Sequence, residues 1–255
     1  MNPNVSTSIN PALAALSFAF AVIGSFIALN AASRIRGAHG KLQSGNILVA
    51  GIALGGIGVW TMHFVGMLAL QMDAGRSYAA IETAISLVAA IIASSLALAY
   101  AAKAPEKLSR LVIAGVSLGM GVVVMHYLGM YGLKIIGYVQ WDFALVALSV
   151  VIAVVAATAA LWLAFNSTSM GKRVGAAVIM GVAVCAMHYT GMLAAEFICT
   201  TENRNAIPQG FAYIPAFELP TLVIVTATTM GLILSFQQWM QSMNTKKLAP
   251  KLSRG

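Results

Sequence analysis

Charge is scarce in this sequence. Lys, Arg, Asp and Glu make up 9% of its 255 residues, against roughly 25% in a soluble globular domain, and the mean hydropathy is +0.86. Too few ionised groups exist to cover a water-facing surface, so a soluble fold is excluded and a lipid-dissolved one expected. Cysteine is almost absent: Cys185 and Cys199 alone cannot make a disulfide framework. On one helix they would stand roughly 21 Å apart, too far to bridge. The last apolar run has no lysine to form a retinal Schiff base, and no run holds the two aspartates of an intramembrane protease. The N-terminus has no basic n-region before its first apolar run, which is long enough to span, so no cleavable leader is expected. The net charge of +8 would suggest nucleic acid in a soluble protein. Here it points to loops against anionic lipid heads, with no nucleic-acid partner.

What the sequence has is apolar length. A span needs about 20 mostly apolar residues, and seven stretches qualify: Ile9 to Ala32, Asn46 to Gln71, Tyr78 to Ala102, Leu108 to Leu133, Phe143 to Phe165, Val174 to Phe197 and Leu219 to Met240. The expected fold is an all-α membrane bundle of seven transmembrane helices over residues 1–244, followed by a short basic cytoplasmic tail over 245–255. The segments after spans one, three, five and seven hold 12 Lys and Arg, whereas the other side holds Arg76, Lys134 and Arg204. By the positive-inside rule the N-terminus is outside and the C-terminus inside, as expected of a multi-pass membrane protein. The segment Cys199 to Glu218, long for a compact bundle, reads as a surface connector or a lid over the outer end. His39 reads as a solvated loop residue and the basic tail as a lipid anchor.

One hexamer occurs three times: Met62-His63-Phe64-Val65-Gly66-Met67, Met125-His126-Tyr127-Leu128-Gly129-Met130 and Met187-His188-Tyr189-Thr190-Gly191-Met192. Each lies near the end of an even-numbered span, so all three helices run in one direction. Gln71, Lys134 and Glu196 each follow their histidine by eight residues, which puts the histidines at one depth, about 12 Å below the outer interface. The even spacing predicts three two-helix repeats in a pseudo-threefold arrangement, with the seventh helix an addition. Gly56, Gly119 and Gly181, each seven residues before a histidine, would let helices approach closely.

Residues four apart share a helix face, so His63 aligns with Met67, His126 with Met130 and His188 with Met192. Imidazole with thioether suits copper, because soft sulfur selects Cu(I) and imidazole tolerates both oxidation states. Met62, Met125 and Met187 lie about 100° around the helix and face a neighbour or join the ligand set. Cys185 shares the His188 face and is a further possible donor. Single intramembrane histidines and methionines are often packing contacts, but three copies at one depth favour a functional site.

The three hexamers resemble the signature of the MHYT domain, a bacterial seven-span membrane sensor domain, over nearly the whole chain. The resemblance implies a copper-binding sensor of a diatomic gas (oxygen, carbon monoxide or nitric oxide), not itself an enzyme. Related proteins carry a signalling enzyme after the last span, so the signal would pass to an output domain or to a separate cytoplasmic partner. Phe64, Val65 and Leu128 depart from the pattern, and a tyrosine or threonine oxygen therefore cannot be a ligand in every copy. Two other readings remain open: a copper-handling transporter or chaperone, which would need a path below the site through Met120 and Met180, and a haem held by two of the histidines.

The 12-to-3 basic asymmetry yields a first test. Reporter fusions after Asn244 should be active only as cytoplasmic reporters, and fusions between Asn203 and Gln209 only as periplasmic ones. The reverse pattern would place the motifs at the inner face.

Overall fold

The computed structural model describes residues 4–37 and 40–252. His39, expected in solvent, and Arg254 of the basic tail fall outside the described residues, as do the side chains of the rest of that tail. Seven helices are long and apolar enough to cross a membrane. They are α1 (Pro11–Ala32), α2 (Ser44–Ala69), α3 (Ala80–Ala102), α4 (Leu108–Gly132), α5 (Phe143–Asn166), α6 (Met170–Leu193) and α7 (Leu219–Leu252). In lipid a helix satisfies every interior backbone group internally, and the chain adds side-chain caps at the ends. Asn10 accepts from the backbone N–H groups of Ala12 and Leu13 ahead of α1, Asp142 does the same for Ala144 and Leu145 ahead of α5, and Ser169 caps Lys172 in α6. The Ser169 cap explains why α6 starts at Met170, earlier than the expected Val174. The last helix continues as one helix to Leu252, well past the expected limit of the span at Met240.

Helices α1 to α6 each pack against their neighbours in sequence, and α6 packs against α1, which closes a ring. Helix α7 lies outside it, principally against α2. Flanked by α1, α3 and α7, α2 is 89% buried over its most apolar window, compared with 22–44% for the other six.

The ends of the motif helices are not helical to the interface as expected. Each turns directly into a strand: β2 (Leu70–Met72), β4 (Leu133–Ile135) and β6 (Ala195–Cys199). They pair antiparallel with β1 (Thr7–Ile9), β3 (Arg76–Ala79) and β5 (Gly137–Trp141), and β7 (Tyr213–Pro215) adds to β3. The three residues expected at the interface lie in these pairs, Gln71 opposite Ser8, Lys134 opposite Ser77 and Glu196 opposite Gln140. The bundle is helical throughout its spans, as expected, and small sheets that were not expected cap its motif end. Phe197, expected in the sixth span, belongs to this cap and is buried in it, and Cys199 sits on β6, so both cysteines are free.

The long segment after β6 is fixed along β3: Ser77 Oγ donates to the Pro208 carbonyl, and the N–H groups of Gly75 and Ala80 donate to the carbonyls of Arg204 and Ala212. Arg204 pairs with Asp73 at 2.7 Å, and Lys134 with Glu82 at 3.5 Å. Mild desolvation alone would raise the Asp73 carboxyl, but the Ser6 hydrogen bonds and Arg204 outweigh it and hold it below the usual carboxylate range. Burial pushes the Tyr78 phenol in the cap up to about 12, against a small opposing pull from Arg76, so it stays neutral at physiological pH.

Helix α2 departs from its counterparts by one residue. Its glycine-rich stretch Ile52–Thr61 is a π-helix, the insertion geometry often found at functional sites. Gly119 and Gly181, seven residues before their histidines, press against Val154 of α5 and against Phe18 and Val22 of α1. In α2 the residue in that role is Gly55, eight before His63, against the backbone of Ala90 in α3, while Gly56 is rotated onto the Met230 sulfur of α7. The expected equivalence of Gly56 with Gly119 and Gly181 is therefore shifted by the inserted residue. A Cβ at Gly55 would meet rigid backbone, whereas one at Gly56 would meet the movable end of a methionine. Gly55→Ala should therefore destabilise the bundle by about 1–3 kcal/mol, read by reversible unfolding in detergent, and Gly56→Ala by clearly less. Equal losses would contradict the shifted register.

Candidate metal centre

The three motif helices bring His63, His126 and His188 to one point inside the ring, each at most 1% exposed. Their Nδ1 atoms stand 3.1, 3.2 and 3.4 Å apart, and the rings meet edge-on at interplanar angles of 79–89°. The centre of that triangle, the mean edge divided by √3, lies about 1.9 Å from each nitrogen, close to a zinc–imidazole bond of ~2.0–2.1 Å. Neutral imidazoles cannot satisfy the arrangement. An Nδ1–H···Nδ1 bond needs one protonated and one bare nitrogen, so one proton at the centre still leaves two lone pairs facing each other. A shared cation would resolve the conflict.

The outer edge of each ring is set by a glycine from another copy. Gly66 lies against Nε2 of His188, Gly129 against Nε2 of His63, and Gly191 against Nε2 of His126, each so close that an added Cβ would overlap the ring. These glycines thus form the seats of the histidines, in a cycle running through all three motifs. The three Nε2 atoms are buried without a hydrogen-bond partner, unlike most metal-binding histidines, whose second nitrogen donates to a carboxylate, carbonyl or water.

Above and below this layer the helical repeat stacks two more. One turn toward the cap, Met67, Met130 and Met192 are buried in a shared apolar cluster with Trp60, Phe64 and Phe197. One turn the other way, Val59, Val122 and Val184, each four residues before a histidine, line a cavity of about 30 Å³ whose further walls are Leu54, Leu118, alanines, Met180 and Met187. The valines were not singled out from the sequence, although their spacing repeats that of the histidines. Met62, Met125 and Met187 are also buried, Met187 against Val123 and Ala153 away from the cap cluster. Cys185 engages Ser17 of α1 and is not in the histidine cluster. Met120 is 44% exposed on the outer face of α4, so it does not join Met180 in a path below the site.

Two of the motif helices are also tied to a neighbour by the aromatic residue after the histidine. Tyr127 shares a hydrogen bond with Ser149 of α5 at 2.7 Å, and Tyr189 with Ser17 of α1 at 3.0 Å. Phe64 has no hydroxyl, and there the indole of Trp60, one turn earlier, donates to Ser86 Oγ of α3 at 3.1 Å. The departure at Phe64 is compensated by a residue outside the hexamer. Ser149 follows Ser86 by the repeat spacing, but Ser17 does not precede it by that spacing, so the set was not legible as a repeat.

A ring of helices of membrane-spanning character around a three-histidine centre defines a membrane-embedded domain with a built polar core. The repeat MHYT, described as a bacterial signalling protein N-terminal repeat, matches three times, at residues 56–114, 119–177 and 181–243. The chain belongs to the MHYT family. The bifunctional diguanylate cyclase/cyclic di-GMP phosphodiesterase MucR of Pseudomonas aeruginosa is 35% identical over 97% of this chain and 37% of its own length. The signalling protein YkoW of Bacillus subtilis is 30% identical over 81% of this chain and 26% of its own. The cyclic di-GMP phosphodiesterase NbdA of P. aeruginosa is 32% identical over 72% of this chain and 24% of its own. The chain thus spans between about a quarter and just over a third of the length of these curated relatives. No solved structure matches it.

The glycine seats generate a test that leaves every candidate ligand in place. Gly66→Ala, Gly129→Ala and Gly191→Ala should each displace one imidazole and cost about 1–3 kcal/mol of stability. Histidine ring signals in selectively labelled protein should shift for the residue seated on the altered glycine. Gly171→Ala and Gly175→Ala, in open space on α6, serve as controls and should be neutral or slightly stabilising. If the seat variants matched the controls, the cyclic packing would be refuted.

Proposed function

We propose that the chain is a non-catalytic sensor domain of the bacterial inner membrane in which the three histidines hold one copper ion near the outer face. The observation that carries this reading is the convergence of three buried Nδ1 atoms with no anion beside them. All seven acids lie outside the histidine layer, in the cap or at helix ends. Three neutral imidazoles leave the full charge of the ion in an apolar interior, and the desolvation cost grows as the square of that charge. A monovalent soft ion, Cu(I), therefore suits the centre better than Zn²⁺ or another divalent ion. The layer of Met67, Met130 and Met192 offers thioethers one turn away, consistent with the same choice. Met62, Met125 and Met187, buried on other faces, are assigned to packing.

When bound, copper supplies an electron-rich centre able to bind a diatomic ligand such as O2, CO or NO. The side chains do the rest: the imidazoles fix the ion, the strand cap and apolar core exclude water, and Val59, Val122 and Val184 hold open a dry space of about 30 Å³. That is more than the roughly 10–15 Å³ of such space that one water molecule needs, enough for one diatomic gas. The cyclic glycine seats and the closed ring of α1 to α6 support a pseudo-threefold arrangement with α7 as the addition, and the basic asymmetry supports an N-terminus outside and a C-terminus inside. The signal would leave through α7, which continues as a helix to Leu252, toward a cytoplasmic output domain or partner like those that the names of MucR and NbdA describe.

Two alternatives are disfavoured by specific observations. Axial histidines of one haem must stand on opposite faces of a macrocycle, and nitrogens 3.1–3.4 Å apart leave no room for one between them. A transporter would need polar or sulfur donors below the centre, where valines, alanines and leucines line the cavity.

Imidazoles sharing one ion act as a unit. His63→Ala, His126→Ala and His188→Ala should each remove far more than one third of the tightly held copper, measured by metal analysis and electron paramagnetic resonance after oxidation. Loss of about one third per variant would mean three independent sites, and no loss would reduce the histidines to packing contacts.

A further inference from the structure

The histidine layer is closed above by the cap and below by the apolar core, so an ion must reach it from the side. The three motif methionines differ in one respect that the repeat does not predict. Met67 and Met130 are 1% and 2% exposed, whereas Met192 is 6% exposed and lies on the wall of a cavity of about 670 Å³ that opens at the motif end. That cavity is bounded by β1, by Ala14 in the first turns of α1, and by the junction of α6 with β6. Its mouth is formed by exposed Thr7, Ser8 and Leu193, and Tyr189 lies on its wall beside Met192.

We propose that Met192 is the access point of the metal centre, where a monovalent soft ion is taken up by a thioether before it reaches the histidines. This inference rests on the copper reading above. Sulfur is the donor that selects Cu(I) from the oxygen-rich interface, and Met192 offers it at a wall of the cavity. From there the distance inward is short. Met192 stands one helical turn from His188 on the same face, and its neighbour Gly191 is the seat of the His126 ring. The ion exchanges one soft ligand for imidazoles without crossing a charged or solvated layer, and no bond is made or broken except to the ion. The asymmetry arises from the strands: β1 covers β2 above the first motif, while above the third motif β6 pairs with β5 on one side and is bridged by Asn4 and Val5 on the other. The cavity opens beyond that bridge, beside Thr7 and Ser8, which pair with β2 and not with β6.

The test follows Cu(I) loading into the purified full chain in lipid nanodiscs, with the ion delivered anaerobically from a weak chelator. Met192→Leu removes the sulfur, and Ala14→Phe fills the cavity while keeping the sulfur. Both should slow loading by about tenfold or more, with final occupancy at saturating Cu(I) preserved. Met192→Leu should slow it clearly more than Met130→Leu, the matching position away from the cavity. Ala89→Phe, placed in the outer groove between α3 and α4, should load at the rate of the unaltered chain. Loading at that rate by both Met192→Leu and Ala14→Phe would place the access route elsewhere and overturn the inference while sparing the histidine site. Equal slowing by Met130→Leu and Met192→Leu would overturn it as well, by making the methionines ordinary ligands. An unaltered chain that takes up no Cu(I) would overturn the copper reading and this inference together.

Discussion

Three imidazole nitrogens held within 3.4 Å of one another in an apolar interior are a costly arrangement, and much of the molecule is organised to sustain it. Each ring must be pressed toward the axis from behind, and only a glycine leaves room for a ring at that position, which accounts for the glycine at the fifth position of every hexamer. The helices must approach closely enough for glycine and ring to meet, which accounts for Gly55, Gly119 and Gly181 against the backbones or side chains of α3, α5 and α1. Water must be kept out, or the buried lone pairs would be solvated and lose their demand for a cation. The cap supplies that seal, with Tyr78 and Phe197 buried in it and Phe64 of α2 packed in the same cluster.

The sequence made the centre legible because the hexamers repeat at nearly constant spacing and a helix converts constant spacing into constant depth. Three histidines at one depth on helices of one direction had to meet if the helices formed a ring. The valine layer was equally available, since Val59, Val122 and Val184 follow from subtracting one turn, but valine carries no chemistry that draws the eye. The strand cap was not legible. Hydropathy counts apolar residues, and Leu133-Lys134-Ile135 or Ala195 to Cys199 look like the frayed ends of spans. Their strand state depends on partners far away in the sequence, such as Gln140 opposite Glu196 and Ser77 opposite Lys134, and local propensity is a weak guide to such pairings.

The π-helix in α2 shows a different limit. Gly55 and Gly56 are adjacent, and spacing alone selects Gly56, because it stands seven residues before its histidine as Gly119 and Gly181 do. The extra residue in Ile52–Thr61 changes which glycine faces α3 and turns the other toward α7. Nothing in the residue types announces this, since a π insertion is set by what packs on both sides of the helix. The same local accommodation appears at Phe64, where a hydroxyl lost from the motif is replaced by an indole donor one turn away. Repeats in this protein conserve contacts, not residue positions.

That distinction bears on how a change at the centre could leave the membrane domain. Helix α7 packs principally on α2, the one motif helix with an inserted residue and the most enclosed of the seven. Met230 of α7 rests on Gly56, two turns from His63 along α2. A π segment is the insertion geometry often found at functional sites, and here it sets both which glycine faces α7 and the register of His63 at its other end. On the proposed reading, α2 is the helix that joins the centre to the seat of α7. Helices α4 and α6, regular and without such contact to α7, would hold the centre's geometry while α2 carries its state outward.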